Sequence, residues 1–418
     1  MNTFNLLVLK WMFYIISASF LLYILEFEMR SFLYMRGKFQ EQTKEKYVIV
    51  LDGGSTGTRV NVFFFSYISS NNATLEEDIE VKGIKIKPEL ASFAYQPQNA
   101  VQNITYLLEW AKSIIPVEKW NVTPLTFRGT AALRALPKFL SSSLFDEINQ
   151  VLQNSPFYCP NRCISLLTEE EEGIYGWYAL NYLIEKLNDL NHSAALVETG
   201  GGSFQVTFSV DNQHAPKVKF INSSFPSLKQ KPLAMYTRSY LGLGFLNARF
   251  SFLQASNDNL GLPEEIGKTM FISSCIQPHH AGVLHYNNVD YIVIGQKNKN
   301  FSYEHCYQKV VNFLGNQVEK IEELNNRDIY VAGINSGLSY PMRKDGDYCT
   351  LDTFVNTCKH YCSVEIPYAT FLCFDCTYVA AFLTHGLGLD IRKEVKILNK
   401  IDGIPINWCL GVALNTLI

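Results

Sequence analysis

The sequence has no excess of basic residues: 36 Lys and Arg stand against 39 Asp and Glu, for a formal charge of −3. Nucleic-acid binding draws on clustered cations that release counterions, so nucleic acid is not an expected partner. Charged residues make up only 18 % and hydrophobic ones 47 %, a balance that excludes wholesale disorder and collagen-like architecture. No Pro/Ser-rich tether divides the chain. After the N-terminus no second apolar run of membrane length occurs, and Gly411 to Ile418 is too short for one. Ten cysteines in 418 residues are too sparse for a small disulfide scaffold, yet enough for several bridges in a large lumenal protein. This length exceeds what one hydrophobic core supports, so two domains are expected, wound together rather than strung on a linker.

The N-terminus is distinctive. Leu6 to Leu25 is apolar apart from Lys10, and Glu26, Glu28 and Arg30 close the run. At ~1.5 Å per residue it spans ~23–30 Å, enough for a thin bilayer. The small residues Ser17, Ala18 and Ser19 lie mid-run rather than after it, which favours an uncleaved signal anchor over a cleaved signal peptide. Flanking Lys and Arg do not orient the span. Sequons at Asn72, Asn103, Asn121, Asn191, Asn222 and Asn300, together with the cysteines, put the body in a lumen or outside the cell. The expected topology is type II, with a cytosolic tail 1–5, an anchor 6–25 and a linker 26–46. The short span suits the thin ER and Golgi membranes; a cell-surface or secreted form is the alternative.

Tyr47 to Leu51 reads as a buried strand, Asp52 to Thr58 as a Gly/Ser/Thr turn, and Val60 to Phe65 as the returning strand. The pattern recurs from Ala195 to Phe208, with Glu198 where the first hairpin has Asp52. Two such hairpins predict a duplicated α/β domain. Ile174 to Leu187 has helical apolar spacing, and Trp408 to Leu417 reads as a closing helix.

The hairpin turns carry the chemistry. Successive backbone N–H groups in a glycine-rich turn bind phosphate oxygens, and the lack of Cβ permits close approach. The candidates are Gly54, Ser55, Thr56, Gly57, Thr58 and Arg59 in the first turn, and Gly200, Gly201, Gly202 and Ser203 in the second. One such turn is usually only a hairpin; a pair, each led by an acid, is far more specific. Asp52 and Glu198 could hold a divalent cation, directly or through water, or simply cap their turns. The run Thr168 to Glu172 has two readings. Thr168 and Glu171 form a capping box at a helix start, or one glutamate activates water. Cys159 and Cys163 could form a bridge or half a zinc site; an oxidising lumen favours the bridge.

Taken in order, several segments resemble the motifs of the ectonucleoside triphosphate diphosphohydrolase (apyrase, CD39-like) family. They are IVLDGGSTGTRVNVF (49–63), GTAALRALP (129–137), EEGIYGWYALNYL (171–183), ETGGGSFQVTF (198–208), YTRSYLGLGFLNAR (236–249), FLCFDCTYVAAFLTHGLGL (371–389) and INWCLGVAL (406–414). The forms STGTR, YTRSYLGLG and FLCFDCTY resemble the secretory-pathway branch, which prefers nucleoside diphosphates such as UDP and GDP.

The resemblance implies an actin/Hsp70/sugar-kinase-like α/β fold with nucleotide in a cleft between two domains. These would be domain I at 46–167 plus 395–418 and domain II at 168–394. It implies hydrolysis of a terminal phosphate in support of glycosylation, with Ca²⁺ or Mg²⁺ as cofactor. By motif position Glu171 is the catalytic base, and Ser203 and Gln205 position the attacking water. Asp52 and Glu198 stand around the metal's water shell, and Thr130 and Arg134 lie near the cleft. Cys275 is implied to pair with Cys306, and Cys358 with Cys373. The chain departs from the family pattern at Glu198, where Asp is usual, and at Thr199, Phe204, Glu169, Glu170 and Ala132. A sugar kinase or polyphosphatase of the same fold is disfavoured by the anchor and the sequons. An inactive nucleotide-binding lumenal glycoprotein is the remaining alternative, to which Glu198 gives room.

Overall fold

The computed structural model describes residues 43–70, 73–187, 189–210, 218–221, 233–256, 258, 269–297, 301–334, 348–367 and 369–417, with residues 26, 28 and 29. The expected anchor at 6–25 lies outside them. Among the described residues no helix is long and apolar enough to cross a membrane. By internal packing the chain falls into two units, Met1–Lys46 with Phe64–Glu80, and Tyr47–Phe63 with Val81–Ile418. The site described below lies wholly within the second.

The first sheet holds β1 (Thr43–Gly54), β2 (Gly57–Ser70), β3 (Ala73–Ile86), β4 (Leu125–Gly129) and β5 (Ile164–Leu166) in the order β3-β2-β1-β4-β5. Strands β1, β4 and β5 run parallel. Val48 to Leu51 are fully buried, as a parallel sheet covered on both faces requires. Helices α1 (Ala100–Ile114) and α3 (Lys138–Gln153) cover the face to which Ile49 and Leu51 point, with the one-turn α2 (Ala131–Arg134) between them. On α3, Leu140, Leu144, Ile148 and Leu152 recur every four residues and are buried, and three of them join Ile49, Leu51 and Phe127 in one core.

Helix α4 (Glu169–Leu183) leads to the second sheet. This sheet comprises β6 (Ala195–Thr199), β7 (Ser203–Ser209), β8 (Val218–Ile221), β9 (Leu233–Leu241), β13 (Ile329–Ala332), β14 (Tyr348–Thr350) and β15 (Glu394–Ile397). Its order is β14-β15-β13-β6-β7-β9-β8. Helix α5 (Phe245–Ala255) precedes a small sheet of β10 (Met270–Ser273), β11 (Ala281–Tyr286) and β12 (Val289–Gly295). Then come α6 (Tyr303–Leu314), α7 (Leu351–Ser363), α8 (Leu372–Ala381), the short hairpin of β16 (Lys400–Ile401) and β17 (Ile404–Pro405), and α9 (Trp408–Thr416).

Strands β9-β7-β6-β13-β15 repeat the β3-β2-β1-β4-β5 order of the first sheet, again with β6, β13 and β15 parallel. The two sheets have separate cores. This is a two-domain, actin-like α/β architecture. In its second half Phe204 is the aromatic hub, 4.9 Å from Phe382 and 5.7 Å from Tyr378 between ring centroids.

Four disulfides brace the described residues. Cys159 bonds to Cys163, and Cys275 to Cys306. Cys358 bonds to Cys376, not to Cys373 as the resemblance implied, and Cys373 bonds to Cys362. The reason is helix packing. Cys358 and Cys362 lie one turn apart on α7, and Cys373 and Cys376 lie one turn apart on α8. Antiparallel packing matches first with last, at Cα–Cα distances of 5.3 and 4.8 Å. A Cys358–Cys373 bridge would set the helices a turn out of register. Cys349 and Cys409 are buried and form no disulfide among the described residues.

Candidate functional site

A cavity of about 610 Å³ lies between the two hairpin turns. One wall begins where β1 ends. Asp52 is buried, and its Oδ2 accepts from Arg59 Nη1 at 2.9 Å. Oδ1 is buried with no protein partner. Burial pushes this carboxyl above its usual range, against the pull of Arg59. Ser55 and Thr56 form the turn, and with Gly54 they line the cavity. Thr130 fixes the turn from β4, donating both its N–H and its Oγ1–H to Gly53 O. Gly57 and Thr58 do not line the cavity. Side chains alternate along β2, so Arg59 and Asn61 face the cleft while Thr58 is fully buried behind it.

The opposite wall is the turn between β6 and β7. Phe245 N–H donates to Gly200 O, Leu246 N–H to Gly201 O, and Gly242 N–H to Gly202 O. In a trans peptide the carbonyl and the following N–H lie on opposite edges. The N–H groups of Gly201 and Gly202 therefore turn away from α5, and that of Ser203 away from Gly242, in the manner of an anion-binding nest. The loops meet closely: a Cβ on Gly201 would lie 2.6 Å from Ser55 Oγ and 2.6 Å from Thr56 Cγ2. Ser203 and Gln205 share the cleft face of β7, and Gln205 Nε2 donates to Ser203 Oγ at 2.5 Å and to Ser239 Oγ at 3.1 Å.

Glu198 ends β6 as Asp52 ends β1. It faces the cleft, and its Oε2 is buried without a protein partner. Burial, then the charges of Glu172 and Asp52, push its carboxyl well above the ordinary range.

The expected base, Glu171, is not in the cleft. It is exposed and closes the capping box: its Oε2 accepts from Thr168 N–H at 2.8 Å, and its own N–H donates to Thr168 Oγ1 at 3.1 Å. Of the acids from 169 to 172, the one that lines the cavity is Glu172. One residue along a helix rotates the side chain by about 100°, which takes Glu171 to solvent and Glu172 inward. Two glycines a turn apart make this possible. A Cβ on Gly173 would lie 2.4 Å from Thr207 Oγ1, and one on Gly176 would lie 2.6 Å from Glu198 Oε2. Their absence lets α4 settle onto the second sheet with Glu172 at its cleft end. Glu172 Oε2 accepts from Arg134 Nη1 at 2.8 Å; burial raises its carboxyl and Arg134 draws it back.

Sequence reasoning missed other residues that line the cleft. Arg249 is held by a two-point pair with Asp375 and lies 4.5 Å from the Phe371 ring centroid. Cys409, at the start of α9, is a free thiol on the wall. Burial, then the Asp52 charge, push its pKa well up, so it stays protonated. Lys85 reaches in from β3. Arg249 and Cys409 fall inside segments singled out for their family resemblance, but neither was assigned a role, and Lys85 lies in no motif; each comes from an element distant in sequence from the turns.

A duplicated actin-like frame, with two touching glycine turns and a buried acid over them, defines a phosphate-binding protein of the nucleotide-hydrolysing class. The chain belongs to the GDA1/CD39 (nucleoside phosphatase) family, whose model matches residues 38–365. It is 30 % identical over 380 residues to ectonucleoside triphosphate diphosphohydrolase 6 of Rattus norvegicus, covering 87 % of this chain and 80 % of that protein. It is 26 % identical over 392 residues to the human nucleoside diphosphate phosphatase ENTPD5, covering 89 % and 87 %. In fold it matches a nucleoside triphosphate hydrolase of Neospora caninum at a TM-score of 0.68 and 14 % identity, covering 93 % and 95 % of the two chains.

Proposed function

We propose that the chain hydrolyses the terminal phosphate of nucleoside diphosphates, UDP and GDP ahead of triphosphates, to the monophosphate and orthophosphate. The observation that carries this reading is Glu172, a buried carboxylate facing two phosphate-type loops that touch. Glu172 takes the proton of the attacking water. Ser203 already accepts from Gln205, which leaves its own proton free to donate and hold that water or a phosphate oxygen. The N–H groups of Gly201, Gly202 and Ser203, with Ser55 and Thr56 opposite, neutralise the phosphate oxygens. Arg134 keeps Glu172 aimed and favours its ionised form.

The unpartnered oxygens Asp52 Oδ1 and Glu198 Oε2 fit a hard divalent cation, Ca²⁺ or Mg²⁺. Among the described residues no three His, Cys, Asp or Glu side chains group to grip a metal, so these two acids would hold it through water. Bound there, the cation supplies charge neutralisation at the phosphates.

In this reading, domains I and II flank the cleft, with the division near Thr168. Residues 6–25 anchor the chain as a type II protein of the ER or Golgi, and the enzyme removes the diphosphate that sugar transfer leaves behind. The test is orthophosphate release by the full chain from UDP, GDP, ADP, CDP and their triphosphates, with Mg²⁺ or Ca²⁺. Release should be fastest from UDP or GDP. Tight UDP binding with no release would instead establish the inactive nucleotide-binding glycoprotein.

A further inference from the structure

Lys85, next to last in β3, reaches the mouth of the first phosphate loop and donates from Nζ to Thr56 Oγ1 at 2.9 Å. Arg59 Nη2 donates to the same oxygen at 3.0 Å. A hydroxyl has two acceptor positions and one proton. With both acceptor positions of Thr56 held by cations, it can meet a ligand only as a donor, and two adjacent positive charges strengthen that donor.

The backbone supports this placement. Gly57 has φ +137°, and a Cβ there would lie 2.5 Å from Ile86 O and 2.8 Å from Lys85 Cε. Only glycine lets the loop sit so close to the end of β3. Across the gap Thr56 faces Gly201. Lys85 also lines an adjoining cavity of about 620 Å³, together with Thr56, Lys87 and Arg249. It therefore stands where the phosphate cleft opens into a second space able to hold the rest of a substrate.

Resting on the phosphatase reading above, we infer that Lys85 is a second cation of the phosphate loop, which turns the Thr56 proton into the cleft and grips the substrate's diphosphate. It is a positioning and affinity residue; it transfers no proton in the reaction. Its electrostatic setting agrees. Although Lys85 is exposed, partial desolvation at the cleft mouth, with Arg59 and then Lys87 nearby, draws it down to about 8, against the opposing pull of Asp52 and Glu89. A cation crowded by cations is relieved by an anionic ligand.

The test uses full-chain Lys85→Gln and Lys85→Arg. For Lys85→Gln, KM for UDP should rise about ten-fold, equivalent to ~1.4 kcal/mol. Its kcat should stay within about two-fold and its Tm near wild type. Lys85→Arg should recover most of the affinity. Calorimetric titration with inorganic pyrophosphate should show the same weakening in Lys85→Gln, independently of turnover. Unchanged KM and pyrophosphate affinity in Lys85→Gln, or a lowered Tm with unmoved KM, would overturn the inference. If the wild type hydrolyses no nucleotide, the activity reading fails by itself. The pyrophosphate titration then still decides the role of Lys85.

Discussion

Replacing Glu172 by Gln isolates the proposed chemistry with little change of shape. The amide oxygen of Gln can still accept from Arg134, so the 2.8 Å contact survives as a weaker neutral bond. Removing one charge of this nearly buried pair leaves Arg134 without its counter-ion, so a stability cost of about 3–5 kcal/mol is expected. What is lost entirely is basicity, since an amide does not take a proton from water. General-base contributions run to ~10²–10⁴ in rate, about 3–5 kcal/mol of barrier. Steady-state orthophosphate release from UDP should therefore show kcat down by that factor, while UDP still binds.

Glu171 provides the matched control. A capping box accepts Gln as well as Glu, so Glu171→Gln should leave both kcat and Tm unchanged. Glu171→Ala removes the bond from Thr168 N–H and should cost roughly 0.5–1 kcal/mol, visible as a small fall in Tm with kcat intact. Near-wild-type turnover in Glu172→Gln would remove Glu172 from the mechanism. A large loss of kcat in Glu171→Gln with unchanged Tm would show that the exposed glutamate moves into the cleft when substrate binds.

Three further outcomes are expected. Gly201→Ala places a methyl 2.6 Å from Ser55 Oγ and Thr56 Cγ2; the loops must part, and turnover should fall roughly 10²-fold with little change in Tm. Glu198 retains its proton in the folded state to higher pH than in the unfolded chain. Metal-free stability should then be full below the ordinary carboxylate range and decline as pH rises through the raised native value. Glu198→Gln should flatten that decline in a Tm–pH series and reduce the Tm gain from added Ca²⁺ or Mg²⁺; an unchanged decline would exclude Glu198 as its source. Non-reduced digestion with trypsin after Lys359 and chymotrypsin after Phe371 and Phe374 separates the four cysteines, and mass mapping should find Cys358 with Cys376 and Cys362 with Cys373.

Local signals in the sequence carried much of this architecture. Both hairpins read correctly because a β-branched run, an acid and a glycine turn are local features. The repeat of that pattern foretold the repeated strand order, and Trp408 to Leu417 is α9 but for its last residue. The helix placed at Ile174 to Leu187 ends instead at Leu183. Glu185 adopts φ 58°, and a left-handed residue stops a helix where apolar spacing alone would continue it. The choice between Glu171 and Glu172 was legible in principle. Gly173 and Gly176 mark the face of α4 that meets a sheet, and Glu172 is one turn before Gly176. What no local pattern holds is the convergence of Lys85, Arg249 and Cys409, since only tertiary packing brings β3, α5 and α9 to one cavity.

Glu198 shows how a departure from the family motif is absorbed. A glutamate carries one methylene more than the aspartate usual in the family at this position, so its carboxylate extends further from β6. It ends where the Cβ of residue 176 would be, 2.6 Å away, and that residue is glycine. The longer acid therefore occupies space on α4 and need not displace the facing loop. The same glycine lets α4 approach closely enough to bring Glu172 over the cleft. The proposed base and the proposed metal acid thus depend on one missing side chain. Gly176→Ala should disturb both together, lowering kcat and the cation-induced rise in Tm in parallel. A variant that lost one and kept the other would show that the two acids are positioned independently.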